Sequence, residues 1–296
     1  MKRLGSATNM ENEIQQFWQQ NPCGASLVGD MTDDERREYE EFFARYDAYR
    51  YEKEPHILKN LDAIDFQGKR ILEIGLGQGA DSEELIKRGA IYTGFDLTEE
   101  SVKRVKMRFE LRSLPYQTVE QGSAVSLPFD DNSFDMVFSH GVLHHIPEIK
   151  KASAEIARVL KPDGELVAML YAKWSLNYLL SIFFVRRLAL LGLYIIGAKR
   201  DGIVGEHLAN AKAKGIWNYL SMRNFIHANT DGPKNPYSKV YGVRDVADDF
   251  PEFQVVRSYK SFMHAPPLKV GWLPLERLLG WHLWVHLRPK KAILEA

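Results

Sequence analysis

The sequence predicts an α/β fold built on a mostly parallel sheet, and three observations carry that expectation. Short apolar runs alternate with charged amphipathic stretches from about residue 66 to 172, a glycine loop follows the first run, and cap and stop residues punctuate the stretches between runs. The chain has 296 residues with 45% hydrophobic, 26% charged and 11% aromatic content, which fits a folded globular protein and excludes disordered, collagen-like and coiled-coil classes. That length suits one core domain with an elaboration.

In order, the predicted strands are 70–74 (RILEI), 91–95 (IYTGF), 116–120 (YQTVE), 134–139 (FDMVFS) and 165–171 (ELVAMLY). Each is short and apolar, as strands covered on both faces are. Between them, DSEELIKRG opens on acids, closes on bases and stops at Gly89, while TEESVKRVKMRFEL opens on a Thr cap. PEIKKASAEIARVL ends before Lys161-Pro162-Asp163-Gly164. Upstream, the stretch from Asp33 to Leu61 reads as one or two helices broken at Pro55, with Phe42, Phe43, Tyr46, Tyr49 and Tyr51 set among charges. Downstream, SLNYLLSIFFVRRLALLGLYIIG is the most apolar part of the chain, but Arg186 and Arg187 divide it into runs of about 8 and 11, short of the ~20 that span a bilayer. It is expected as a buried or lid helix pair. FQVVRSYKSF and WHLWVHLRP supply two more strands. The expected division is therefore cap helices at 1–65, a core at 66–172, a helical insert and loop at 173–250, and final strands at 251–296.

The formal charge is zero but unevenly spread: net −6 over residues 1–65, −3 over 66–172 and +9 over 173–296. A basic last third suits an acidic ligand, a membrane surface or simple packing beside acidic segments. Cys23 is the only cysteine, which rules out an internal disulfide framework and any cysteine-built metal site. With no apolar run behind the basic start, the sequence predicts no secretory signal and a cytoplasmic location.

The strongest motif is Ile71-Leu72-Glu73-Ile74-Gly75-Leu76-Gly77-Gln78-Gly79, a buried strand running into a glycine loop and then a helix. Such a loop lets a ligand approach the main chain and the unpaired N–H groups of the helix start. With Ala80 it also fits the dinucleotide fingerprint, and Asp96 lies 19 residues after Gly77, where a ribose-binding carboxylate is expected. A nicotinamide cofactor and a sulfonium cofactor therefore compete. Glu73 favours the second, because an anion beside the loop repels pyrophosphate and attracts a cation.

The set ILEIGLGQG, Phe95-Asp96, LPFDDNSFDMV, SHGVLHHI and RVLKPDGEL resembles the class I S-adenosylmethionine-dependent methyltransferases, in particular the ubiquinone/menaquinone-type and sterol-type subgroup. The resemblance covers residues 66–172. It implies a Rossmann-like sheet of seven strands, six parallel and the last antiparallel, with helices on both faces, and S-adenosylmethionine as cofactor. It further implies that Glu73, Gly75 and Gly77 line the methionine end, that Asp96 binds the ribose, and that Leu97 flanks the adenine. Ser123 and Ala124 would stand where the adenine is read, and His140 beside the cofactor. In place of the acidic residue common just before the adenine-reading position, this chain has Gln121-Gly122.

Outside the glycine loop the candidates are fewer. His144 and His145 offer a general base or packing, and their spacing speaks against a metal. Tyr171, at the end of the fifth strand, stands where open α/β sheets bind ligands. Tyr46 and Arg50 could close over the cofactor, with Arg50 or Arg45 meeting its carboxylate. The turn-rich segment 229–241 would form a mobile lid presenting Tyr237 and Tyr241 to the acceptor. The expected activity is methyl transfer to a small molecule, with no nucleic acid and no spanning segment, and with room for peripheral membrane contact. A nicotinamide oxidoreductase and a non-catalytic cofactor-binding protein are the rival readings.

Overall fold

A computed structural model describes residues 4–24 and 36–290. Asp33, Asp34 and Glu35, counted above into the upstream helices, lie outside the described residues, as do the outermost residues of the first and last expected segments.

Seven strands form a single sheet. They are β1 (Arg70–Ile74), β2 (Ile91–Asp96), β3 (Thr118–Gln121), β4 (Phe134–His140), β5 (Leu160–Tyr171), β6 (Phe253–Ser261) and β7 (His282–Pro289), in the spatial order β3-β2-β1-β4-β5-β7-β6. The neighbours from β3 to β5 pair in parallel, and β7 runs antiparallel to both β5 and β6. This is the seven-stranded Rossmann-like arrangement with one reversed strand.

The period of two along the strands sends alternate residues to two cores. Leu72, Val137, Leu166, Ala168 and Val285 join one core with Ile156 and Val246, while Ile71, Phe138, Val167, Met169 and Trp284 join the other with Leu85 and Val105. Helices α4 (Ala80–Lys87) and α5 (Glu99–Leu111) cover the second face, and α6 (Ile149–Val159) covers the first. Thr98 caps α5, its hydroxyl accepting from the Ser101 N–H at 3.3 Å.

Ahead of the sheet lie α1 (Leu4–Gln20), α2 (Arg36–Lys53) and α3 (His56–Asp62). The aromatic residues of α2 are its attachment: Tyr39, Phe42, Phe43 and Tyr46 are buried, with the Arg108 and Arg104 guanidinium groups over the Phe43 and Phe42 rings. Arg108 is itself buried, which is tolerable because it pairs with Glu83 at 2.8 Å and with Asp47.

The apolar stretch after β5 differs from expectation. It is one continuous helix, α7 (Asn177–Ile195), π-helical to Arg186 and α-helical beyond, and among the described residues it is the one helix long and apolar enough by composition to cross a membrane. Arg186 does not interrupt it, because its guanidinium turns inward to the carbonyls of Pro266 (2.9 Å) and Asn229 (2.8 Å). Nor is it buried. Ser181, Ile182 and Leu190 face the body, while Leu179, Phe183, Phe184 and Leu188 are exposed.

Candidate active site

The ends of β1, β2, β4 and β5 open into a cleft of about 230 Å³. Its floor follows from the turn after β1: Gly75 adopts a φ of +83°, and a Cβ there would lie 2.1 Å from Val142, so no other residue fits without moving that wall. At Gly77 (φ +54°) a Cβ would instead point into near-empty space, its nearest neighbour being Cys23 at 3.7 Å. That space is a cradle a side chain would fill.

Asp96 ends β2 beside this turn. Its Oδ2 accepts from the Leu76 N–H at 2.7 Å, and its Oδ1 accepts from the Thr98 N–H and hydroxyl, both at 2.8 Å. Burial raises its carboxyl despite these donors. The donors fix the carboxylate at the cleft, and with both Oδ1 lone pairs taken by Thr98 it is Oδ2 that keeps capacity for a hydroxyl. Leu97, Ser123 and Ala124 line the same end. Helix α1 closes over it, with Gln15 donating to the Leu97 carbonyl at 2.9 Å and the Ser123 hydroxyl donating to Glu11 at 2.9 Å.

Glu73 borders the cleft, but its carboxyl is held by the hydroxyls of Ser82 and Tyr92, and burial pushes it up to about 8. Burial thus favours its neutral form, which weakens at this residue the attraction for a cation read from the sequence. Fixed charge comes from Asp81 in the first turn of α4. Although burial opposes its ionisation, Arg50 and His140 hold it well below the usual carboxylate range. Arg50 binds it with two nitrogens, Nε at 3.0 Å, and reaches His140 Nδ1 at 2.8 Å. His140 Nδ1 also lies 2.6 Å from Asp81.

At the far end stand Tyr171, Asp231 and His145. The Tyr171 hydroxyl donates to Asp231 at 2.7 Å, and burial with this carboxylate raises it well above the usual phenol range. His145 Nδ1 lies 2.7 Å from the Tyr237 carbonyl, which can only accept, so Nδ1 carries the proton. In the neutral ring Nε2 is then an acceptor, 3.4 Å from Asp231 Oδ2. His144, in contrast, is fully buried, lies 3.9 Å from the Tyr171 ring centroid at a tilt, and has neither nitrogen bonded among the described residues. Burial drives its basicity well below that of free imidazole. Beside Arg50, ligating atoms of Glu54, His56 and His282 lie within 4.8 Å of one another. Here His56 Nε2 and His282 Nδ1 share a 2.9 Å hydrogen bond, and burial lowers His56 to about 3.

Residues 72–168 match the methyltransferase domain family. A stretch of 103 residues is 38% identical to a phthiotriol/phenolphthiotriol dimycocerosates methyltransferase of Mycobacterium tuberculosis, covering 34% of this chain and 37% of that protein. A stretch of 102 residues is 37% identical to a fatty-acid O-methyltransferase of Mycolicibacterium smegmatis, covering 34% of this chain and 36% of that protein. The matches thus span little more than a third of those relatives. Across 93% of this chain and 99% of the other, the fold superposes on the PH0226 protein of Pyrococcus horikoshii with a TM-score of 0.50 at 15% identity.

Residues 72–168 thus match a methyltransferase domain, carried on a Rossmann-like sheet. The cofactor of the class I methyltransferases is S-adenosylmethionine, and the cradle at Gly77 and the oriented Asp96 carboxylate fit it. Around the domain, the structure redistributes several sequence expectations. Tyr46, Arg50, His140, His145 and Tyr171 line the cleft together with Glu73, Gly75, Gly77, Asp96, Leu97, Ser123 and Ala124. His144 does not. Tyr241 is a core residue: its backbone bridges to β5, its ring is buried, and its hydroxyl donates to Asp249 at 2.9 Å. Tyr237 stacks on His227 at 5.2 Å outside the cleft lining. The 229–241 segment is a wall and not a lid, because Asn229, Asn235 and Ser238 are buried, Ser238 meets His145 at 3.1 Å, and the Lys239 N–H donates to the His144 carbonyl at 2.9 Å.

Sequence reasoning missed Asp81, Asp231, Trp18 and His282 as cleft residues. An acid in a helix's first turn is ordinary capping chemistry, so Asp81 carried no separate signal. Asp231 was visible only as a turn residue.

Proposed function

We propose that this protein transfers a methyl group from S-adenosylmethionine to the oxygen of a small, largely apolar acceptor. The observation that carries the reading is one continuous cleft with Asp96 fixed at one end and His145 Nε2 free as an acceptor at the other. When bound, the cofactor supplies an activated methyl on sulfur. Asp96 would hold its ribose hydroxyls, and Arg50 Nη1, which makes no hydrogen bond among the described residues, would meet its carboxylate. His145 would take the acceptor's proton, with the Tyr237 carbonyl keeping Nδ1–H oriented and Asp231 stabilising the imidazolium. Trp18, Ile14 and Ile146 would exclude water from the transfer.

The apolar class of acceptor is supported by the wall residues and by the names of the two relatives, each a methyltransferase of lipid-like compounds. The lone thiol supports a cytoplasmic setting, and the neutral total charge weighs against nucleic acid as acceptor. The test is incubation with methyl-labelled S-adenosylmethionine and either a solvent-extracted lipid fraction or an aqueous metabolite fraction. Label in the lipid fraction, lost in His145→Ala, is expected. Label confined to the aqueous fraction, or undiminished in the variant, would refute the acceptor class or the base respectively.

A further inference from the structure

Helix α7 and the turn beyond it form an apolar surface that no described residue covers. Leu188 is 63% exposed, Ile195 72%, Ile196 75% and Ile203 66%. On α7 the outward residues recur at 179/183 and 180/184/188, while Ile182 and Leu190 on the other side pack on the body. Folded soluble chains rarely leave so much contiguous apolar surface in water. Lys199 and Arg200 are exposed between Ile196 and Ile203, and Lys212, Lys214 and Arg223 are exposed on the segments that follow. From 177 to 227 there are seven Lys and Arg against two Asp and Glu.

We infer that this face docks on an anionic lipid bilayer, with the α7 side chains in the acyl boundary and the cations among the headgroups. An apolar strip bordered by Lys and Arg is the composition of a helix lying in the interface plane. A second copy is the weaker occupant, because a two-fold contact sets a patch against itself and would bring the two cationic borders together. A spanning orientation conflicts with the inner side of α7, where Ser181 and Arg186 hydrogen-bond to Pro266 and Ile182 and Leu190 are packed into the protein. The same cluster includes Tyr171, whose other side lines the cleft, so the docking face adjoins the acceptor end. Docking of this kind goes beyond methyl transfer and stands or falls without it.

The test is co-sedimentation of the full chain with vesicles of phosphatidylcholine alone or of equal parts phosphatidylcholine and phosphatidylglycerol. Binding to the anionic vesicles, reversed by high salt, is expected. The pairs Leu188→Glu with Ile196→Glu, and Lys199→Glu with Arg200→Glu, should each lower the partition coefficient on the order of tenfold or more with an unchanged melting temperature, since all four side chains are exposed. Absence of binding to anionic vesicles, or equal binding to both kinds and by all variants, would overturn the inference. Retention through alkaline carbonate extraction would replace it with a spanning helix. A dimer in sedimentation velocity that Leu188→Glu dissolves would replace it with self-association.

Discussion

Replacing Glu73 by Gln should change how stability depends on pH while leaving the fold intact. The side chain is 2% exposed, and burial raises its carboxyl from an ordinary 4.5 to about 8. The folded chain therefore keeps a proton that the unfolded chain has already released. Below about pH 4.5 both states are protonated and nothing is lost. Between about 4.5 and 8 the unfolded state gains from ionisation, so stability falls as pH rises by roughly 1.4 kcal/mol per pH unit, and above 8 the loss is complete. For this one group the full loss is on the order of 5 kcal/mol. The amide introduced by Glu73→Gln cannot titrate, yet its oxygen can still accept from Ser82 or Tyr92. Urea unfolding of both proteins from pH 5 to 9 reads the difference directly. The variant should gain on the parent steadily up to about pH 8 and then hold its lead. A difference that stays flat across that range would show that Glu73 is ionised in the folded chain.

Asp96→Asn should weaken S-adenosylhomocysteine binding by about 1–3 kcal/mol in calorimetry, the cost of an imperfectly matched polar partner. Asp81→Asn removes the fixed anion facing Arg50 and His140, and should lower unfolding stability by about 3 kcal/mol or more, as breaking one side of a buried pair does. Tyr241→Ala should cost about 3–5 kcal/mol of stability with cofactor affinity unchanged in the folded fraction, since the ring is core and not cleft. Gly77→Val should abolish cofactor binding in calorimetry, because the added side chain enters the cradle with a strained φ.

The parallel sheet was legible because its strands are buried on both faces and its helices carry caps; the positions of Thr98 and Gly89 already set two boundaries. Asp96 was legible by its distance from the glycine loop, which reflects the length of one βα unit. Contacts between distant segments were not. Arg50 and Asp81 are separated by 31 residues and Tyr171 and Asp231 by 60, and nothing local in either partner announces the other. The exposure of α7 was hidden for a related reason. Two adjacent arginines read as a break, but Arg186 finds its carbonyl partners in segments 43 and 80 residues further on. Tyr241 misled because a turn-rich segment looks mobile until its polar side chains are seen bonded to one another.

The place of β7 bears on how this chain is made. It follows β6 in the chain, yet it lies between β5 and β6 and, among the described residues, is the strand that joins β6 to the sheet. Until it emerges, β5 presents an open apolar edge and β6 has no strand partner among the described residues, although both precede it in the chain. The nascent core must therefore wait with Val167, Met169 and Leu170 unpaired on one side. Trp284, the largest fully buried side chain among the described residues, arrives only with β7 to seal it. Such a late, long-range closure favours slow final assembly and makes the partly built sheet a natural client for holding chaperones during translation.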